Sequence, residues 1–195
     1  TDSPTNLSRA VDLGCHEGYP GHHVLHSLHE QENVNKRGWI EFSIVPLFSP
    51  IAVVAEGSAN FGIELAFPGD EQLEFETNVL APIAGIETDG LADYANLSKL
   101  TAQLRPAQYA ISASYLAGDI DEDEAARLYE KYRLSSPERA RQSLRFVDTY
   151  RSYIINYGLG LDMVRASVEA AGPDQDARWA RMIEILSEPT LPSDL

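Results

Sequence analysis

The stretch HEGYPGHHVLH, residues 16 to 26, contains a break that decides how the surrounding chain folds. It begins with His-Glu, the first half of the metal-binding pattern His-Glu-x-x-His, which stands on one continuous helix. Four residues after His16, however, the chain has Pro20 instead of a histidine. Proline removes an amide donor and clashes with the preceding turn, and Gly18 and Gly21 give the backbone freedom on either side. The stretch therefore predicts two helical halves separated by a kink or bulge.

The spacing of the histidines explains why such a bulge matters for metal binding. Two imidazole ligands of one zinc ion lie only about 3.3 Å apart, a separation that positions i and i+4 of a regular helix provide. On a regular helix His22 would point about 240° away from His16, and His23 would lie about 10 Å along the axis. If Tyr19 and Pro20 are an insertion in His-Glu-x-Gly-His, the widened turn returns His22 to the ligand position. We predict His16 and His22 as metal ligands, with His23 as the alternative to His22.

A second feature of this region is its concentration of histidine. All five histidines of the chain fall within fourteen consecutive residues, at positions 16, 22, 23, 26 and 29. A single histidine is often a polar residue on a solvated helix face, but five beside Glu17 favour a metal site. On an unbroken helix His22 and His26 would form another ligand pair, which would leave Glu17 without a role. Next to His16, Glu17 is placed to act as general base on a metal-activated water.

The rest of the chain has the periodicity of a mainly α-helical protein. Asp121 or Asp123 is predicted to begin one helix, and Ser136 with Pro137 to begin another that runs to Gly158 or Gly160. Further helices are predicted over residues 7–32 on both sides of GYPG, and near residues 51–67, 87–103, 106–117 and 174–186.

Two segments of the chain stand out from this helical pattern. Alternating apolar residues predict at most a short extended segment near residues 38–48, which Pro46 and Pro50 limit to an edge strand or a short piece. Residues 51–67 are apolar enough for a mostly buried helix, yet they include Glu56. A carboxylate in a buried helix requires a partner or a function.

Composition limits the number of domains and the kind of partner. With 195 residues and 44% hydrophobic content, we predict a single domain over residues 1–195. The net charge of −15 disfavours nucleic acid and anionic membranes, and is easier to reconcile with a cationic or small neutral substrate. The lone Cys15 excludes an internal disulfide. No targeting signal or transmembrane run appears, which favours a cytoplasmic location.

Two motifs resemble a known bacterial family. HEGYPGHH, residues 16–23, is similar to the His-Glu-x-x-Pro-Gly-His-His signature of domain-of-unknown-function family 885. That family is related to the gluzincin zinc metallopeptidases and, more distantly, to the thermostable carboxypeptidase Taq group. AEGSANFGIEL, residues 55–65, resembles the Glu-Gly-x-Ala segment of a downstream helix, and the resemblance implies that Glu56 is the third metal ligand. The segment departs from the family, where bulkier residues are commoner, at Ser58, Asn60 and Gly62.

A third motif extends the resemblance towards the C-terminus. YRSYIINYGLG, residues 150–160, is similar to the family's last helix in the positions of Tyr157 and Gly160. The resemblance implies that Tyr157 donates a hydrogen bond to the oxyanion, with Tyr153 as an alternative. We also predict that Tyr153 and Arg151 bind substrate, because a guanidinium can hold a carboxylate with two hydrogen bonds. Aromatic residues at helical spacing are equally compatible with core packing.

The resemblance implies a helical, zincin-like domain with one Zn²⁺ ion. The implied activity is that of a zinc metallopeptidase that cleaves a peptide or a small amide, with Glu17 and Tyr157 as catalytic residues. Family members are longer, so we expect the chain to be the C-terminal part of a longer protein. Two alternatives remain: a non-peptidase enzyme with iron or manganese on the same two histidines and one carboxylate, and a non-catalytic metal-binding domain.

Overall fold

A computed structural model describes residues 8–195, and these residues are mostly helical and contain no strand. The predicted mainly α fold is therefore confirmed. The α-helices are α1 (Ser8–Leu13), α2 (His22–His29), α3 (Ile51–Ala66), α4 (Glu71–Phe75), α5 (Ala81–Ala84), α6 (Leu91–Ala102), α7 (Arg105–Ala117), α8 (Glu122–Arg133), α9 (Pro137–Tyr150), α10 (Leu159–Glu169) and α11 (Gln175–Ser187). Between them lie π-helical segments at Gly14–Gly18, Glu30–Lys36 and Glu76–Leu80, and 3-10 segments at Ile40–Ser43, Arg151–Tyr157 and Pro192–Asp194.

The chain is organised in two compact units. Unit 1 comprises Thr1–Asp89 and Leu159–Leu195, and unit 2 comprises Gly90–Gly158. The single domain expected from chain length stays a prediction. None of the helices within residues 8–195 has the length and apolar content needed to cross a membrane.

Helix α3 lies at the centre of unit 1. Its sequence is apolar around most of its circumference, so it is buried on nearly all sides, and it contacts α2, α10 and α11. The core of the unit consists of Leu25, Val54, Ala55, Phe61, Leu65, Leu161, Val164, Val168, Met182, Ile185 and Leu186. Because α3 also carries Glu56, this core holds that carboxylate in a fixed place.

Helices α3 and α10 approach each other backbone to backbone. A β-carbon at Gly57 would lie 2.3 Å from both the carbonyl carbon and the carbonyl oxygen of Gly160. A β-carbon at Gly160 would lie 2.3 Å from the carbonyl oxygen of Val53. The close approach therefore depends on two glycines, one of which directly follows Glu56.

We expect Gly57→Ala to destabilise the protein by about 2–3 kcal/mol, because the new methyl group meets backbone atoms that cannot rotate away. Chemical denaturation followed by circular dichroism measures the change. Gly14→Ala is the matched control, since a β-carbon there has no heavy atom within 4 Å. Equal unfolding free energies for the two variants would contradict the close approach of α3 and α10.

Unit 2 has its own small core, to which α7, α8 and α9 contribute. The two helix starts predicted here are confirmed. Asp121 begins α8 by accepting a hydrogen bond from the amide of Glu124 at 2.9 Å, and Ser136 begins α9 by accepting one from the amide of Arg139 at 3.3 Å. Of the two candidates, Asp121 and Asp123, Asp121 is therefore the N-cap residue of α8.

Several helix boundaries differ from the prediction. Helix α9 ends at Tyr150 and not at Gly158 or Gly160, because Arg151 has a positive φ of 54°, which ends the α-helix. Residues 71–84, for which no helix was predicted, form α4 and α5 with a π-helical segment between them. Residues 38–48 contain a 3-10 turn, Ile40–Ser43, and form no strand, which agrees with the prediction of at most a short extended segment there.

Candidate metal centre

The predicted interruption of the first helical region is confirmed. After α1 the chain widens into the π-helical segment Gly14–Gly18, becomes extended at Tyr19, passes through a cis Tyr19–Pro20 bond and resumes as α2 at His22. The amide of Gly21 donates to the carbonyl of Cys15 at 2.9 Å, a span of six residues. The widened turn changes the direction in which His16 and His22 project relative to a regular helix.

Two glycines make this turn possible. A β-carbon at Gly21 would lie 1.8 Å from the carbonyl oxygen of His16, so the chain closes on itself where only glycine fits. A β-carbon at Gly62 on α3 would lie 2.6 Å from Cγ of Pro20, so the proline ring sits directly on α3. Gly62 is a position where the sequence departs from the resembled family, and its small size here accommodates Pro20.

The structure brings together three of the residues predicted as metal ligands. The rings of His16 and His22 have centroids 4.7 Å apart and stand nearly perpendicular. Oε2 of Glu56 lies 3.4 Å from Nε2 of His16 and 3.7 Å from Nε2 of His22. Each residue offers one ligand atom, and these three atoms lie within 4.8 Å of one another. Within residues 8–195 this is the group of histidine and acidic side chains with the spacing of a metal site.

The donor set fits a zinc ion. Tetrahedral zinc takes imidazole nitrogens and a carboxylate oxygen at about 2.0–2.2 Å, which corresponds to ligand atoms about 3.3 Å apart. The distances from Glu56 to the two histidines are close to that value. Three protein ligands leave a fourth position for water or substrate, the arrangement of catalytic zinc sites.

Electrostatics in the cluster favour positive charge beside Glu56. Glu56 is a buried residue, with 7% of its surface exposed. A hydrogen bond to Glu56 is the main reason that the pKa of His16 lies above its ordinary value, although burial of the ring acts in the opposite direction. A buried carboxylate is stable only with such a partner, and a metal cation meets the same requirement as a proton.

Asn60 holds His16 in this arrangement. It lies one turn after Glu56 on α3, and its side-chain amide donates to the Glu56 carbonyl oxygen at 3.0 Å. The ring of His16 also hydrogen-bonds the Asn60 side chain, which contributes to the raised pKa of His16. Such a hydrogen bond, donated by a ring N–H of His16 and accepted by Asn60, fixes the orientation of the ring.

The other predicted residues of this region are exposed and lie outside the three-residue group. Glu17 is exposed, and its negative charge adds to the rise in the pKa of His16. His23, the alternative ligand, is exposed and stands outside the cluster, with its ring 5.5 Å from that of Tyr19. His26 stacks on His22 with ring centroids 6.2 Å apart, and it is likewise not part of the three-residue group.

Tyr157, Tyr153 and Arg151 belong to unit 2 and lie on its 3-10 segment. The ring centroids of Tyr153 and Tyr157 are 5.9 Å apart, and those of Phe146 and Tyr157 are 6.4 Å apart. These contacts are those of an aromatic cluster within the unit. The oxyanion role of Tyr157 and substrate binding by Tyr153 and Arg151 stay predictions.

Three glycines that position the cluster were not singled out for this role from the sequence. Gly57 and Gly160 allow α3 to meet α10, and Gly62 accommodates Pro20. The sequence feature that could have indicated this role is a glycine inside an apolar helical pattern, because such a glycine often marks a position where two backbones approach closely. Gly57 and Gly62 both lie within seven residues of Glu56.

His29 is a buried histidine with a different environment. The residue is 6% exposed, and its Nε2 atom has no hydrogen-bond partner among the described residues. The ring meets Phe42 edge-on at 5.9 Å. Burial is the main reason that the pKa of His29 lies below its ordinary value, with a hydrogen bond to the Glu188 backbone opposing the shift. In the folded protein, His29 therefore stays neutral at pH values at which an exposed histidine begins to take up a proton.

This environment predicts a loss of stability at acid pH. Unfolded His29 takes up a proton below about pH 6.5, whereas the folded protein resists protonation, so its stabilising contribution is lost as pH falls through that value. We expect the unfolding free energy of the unaltered chain to fall more steeply between pH 7 and pH 5 than that of His29→Leu. Denaturant titrations at a series of pH values test this. Parallel curves would show that His29 does not contribute.

The chain was also compared with known proteins. No protein-family model, no curated protein and no solved structure matches it. The resemblance to the family with the His-Glu-x-x-Pro-Gly-His-His signature therefore rests on the motifs themselves.

Proposed function

We propose that the chain is a zinc-dependent hydrolase that cleaves an amide or peptide bond, as a metallopeptidase does. The observation that carries this proposal is the convergence of His16, His22 and Glu56 from two separate parts of the sequence. Two imidazoles and one carboxylate are a donor set of catalytic zinc sites. The exposed Glu17 beside His16 adds the group that such a site needs for proton transfer.

Zinc held by His16, His22 and Glu56 would supply a Lewis acid that polarises the substrate carbonyl and lowers the pKa of water. The chain's own residues account for the remaining steps. The Glu17 carboxylate takes a proton from water as the water oxygen bonds to the carbonyl carbon. It then gives that proton to the nitrogen as the carbon–nitrogen bond breaks, which leaves a carboxyl group and an amine.

The other residues of the proposed mechanism hold groups in position. Asn60 orients the ring of His16, so that its other nitrogen faces Glu56 and His22. Tyr157 is proposed to donate a hydrogen bond to the negative charge that develops on the carbonyl oxygen. Arg151 and Tyr153 are proposed to bind the substrate. These three assignments rest on the motif resemblance alone.

A second candidate function follows from the same donor set. Two histidines and one carboxylate also bind iron or manganese in enzymes of oxygen chemistry. Such an enzyme would need His16, His22 and Glu56 but not a general base at Glu17. A third possibility, a metal-binding domain without catalysis, would require neither Glu17 nor an open coordination position.

The proposal is tested by metal analysis of the purified chain. We expect one zinc ion per chain at neutral pH, retained by His23→Ala and lost by His22→Ala, because only His22 belongs to the cluster. Peptide hydrolysis should require zinc and disappear after chelation. His23→Ala is the matched control for the loss of an adjacent histidine.

Three results would overturn parts of the proposal. If the unaltered chain binds no divalent metal in stoichiometric amount, all metal-dependent functions are excluded. If iron restores an oxygen-dependent activity and zinc restores none, the second candidate replaces the first. If His23→Ala loses the ion and His22→Ala keeps it, the ligand assignment is wrong.

A further inference from the structure

The two units of the chain carry their charge very unequally. The described part of unit 1, which contains His16, His22 and Glu56, has twenty acidic and six basic side chains. Unit 2 has nine of each. The negative excess of the described chain therefore lies on the unit that carries the candidate metal centre.

Every basic side chain in the described part of unit 1 already has a partner within that unit. Arg165 binds Glu64 at 2.6 Å, and Arg37 binds Glu188 with two hydrogen bonds. The remaining partners are Asp12 for Arg9, Glu32 for Lys36, Glu184 for Arg181 and the carbonyl oxygen of Gly172 for Arg178. Within these described residues, no basic group of unit 1 is left over to receive a substrate carboxylate.

The acidic excess also reaches the edge of the candidate centre. Glu17 is exposed beside His16 and close enough for its charge to act on that ring. Other exposed acids of the unit include Glu30, which directly follows α2, and Glu41 and Glu87. Charge of one sign on the surface around a site raises the local concentration of ligands of the opposite sign and their association rate.

We propose that the metal centre acts on cationic substrates, namely peptides or amides that carry net positive charge close to the bond that is cleaved. This inference rests on the proposed hydrolase function and names its substrate class. An anionic substrate would approach a unit that repels it and, among the described residues, offers no unpaired basic side chain of its own for a carboxylate; Arg151, the basic residue proposed to bind substrate, belongs to unit 2. Hydrolysis also creates a new carboxylate, so the same field favours release of the acidic product.

Binding without turnover is the first test. The Glu17→Gln chain, loaded with zinc, is titrated into peptides that carry an uncharged fluorophore and share one neutral core flanked by two Lys, two Gln or two Glu. We expect the Lys peptide to bind at least about tenfold more tightly than the Glu peptide at low ionic strength, and the ratio to collapse at high salt because the field is screened.

Turnover by the unaltered zinc-loaded chain is the second test. Random-core peptide pools with the same three flanks are digested, and cleavage is counted by mass spectrometry. Faster cleavage of the Lys pool, by a salt-sensitive factor of about ten, supports the inference. Cleavage of all pools at equal rates, or faster cleavage of the Glu pool, overturns the inference and leaves the hydrolase function intact. No cleavage of any pool overturns the hydrolase function, and the inference falls with it.

A charge-reversed variant locates the origin of the preference. Glu30→Lys, Glu41→Lys and Glu87→Lys together change the charge of unit 1 at exposed positions outside the cluster. We expect zinc content to stay unchanged and the ratio of Lys to Glu peptide binding to fall several-fold. An unchanged ratio would mean that the acidic excess of unit 1 does not select the substrate.

Discussion

Glu17→Gln should reduce peptide hydrolysis by about 10²–10⁴-fold while the chain keeps its zinc ion. The substitution preserves the size of the side chain but removes its ability to accept a proton from water. Glu17 is exposed and stands outside the three-residue cluster, so its loss leaves His16, His22 and Glu56 in place. The measurement is kcat/KM on a peptide substrate together with zinc content for both chains.

The comparison with neighbouring positions makes this result specific. Gln31→Glu and Glu30→Gln change the charge of an exposed region after α2 without touching the residue beside His16, so neither should change the rate by more than a few-fold. If Glu17→Gln keeps full hydrolysis, Glu17 is not the general base. If it loses both hydrolysis and zinc, its role is structural, and the proton-transfer step needs another residue.

The same variant separates the candidate functions. An oxygen-activating enzyme with iron on these ligands would tolerate Glu17→Gln, because its chemistry does not need a carboxylate to accept a proton from water. A non-catalytic domain would show no change in metal binding and no activity to lose. Only the hydrolase predicts normal metal content with a large loss of rate.

The sequence was sufficient to predict the break in the helix, since its cause is local. Proline cannot continue a helix, and the flanking Gly18 and Gly21 permit the turn. The proximity of His16 and His22 followed from that break and from ligand spacing. The helix that carries Glu56 was also predictable, because an apolar segment of this length has few other interpretations. That these three residues bind a metal ion remains a proposal.

The features that could not be predicted depend on contacts between distant residues. Gly57 meets Gly160, about a hundred residues later, and no local pattern records which helix will approach a glycine. The end of α9 at Tyr150 was likewise not predictable, because Arg151 adopts a positive φ, which a residue other than glycine does not favour. The unequal distribution of charge is another property of the fold, because the net charge of the sequence averages a neutral unit with a strongly acidic one.

The second large effect is expected from Glu56. Zinc added at about 100 times its Kd should raise the unfolding free energy of the unaltered chain by about 2.7 kcal/mol, and Glu56→Ala should reduce that increment to nearly zero. The reason is that Glu56 is the only one of the three grouped residues that comes from α3, so its oxygen joins the core helix to the two histidines. Thermal or denaturant unfolding with and without zinc measures the increment.

The control for this prediction lies two turns along the same helix. Glu64 is a carboxylate of α3 that pairs with Arg165 at the surface, so Glu64→Ala should change stability by no more than about 1 kcal/mol and leave the zinc increment intact. Loss of the increment in both variants would indicate a general effect of charge on α3. Without zinc, Glu56→Ala removes a buried carboxylate along with its partner contact, and these two effects oppose each other. The zinc increment, and not the stability of the metal-free chain, is therefore the quantity that reports whether His16, His22 and Glu56 hold one ion.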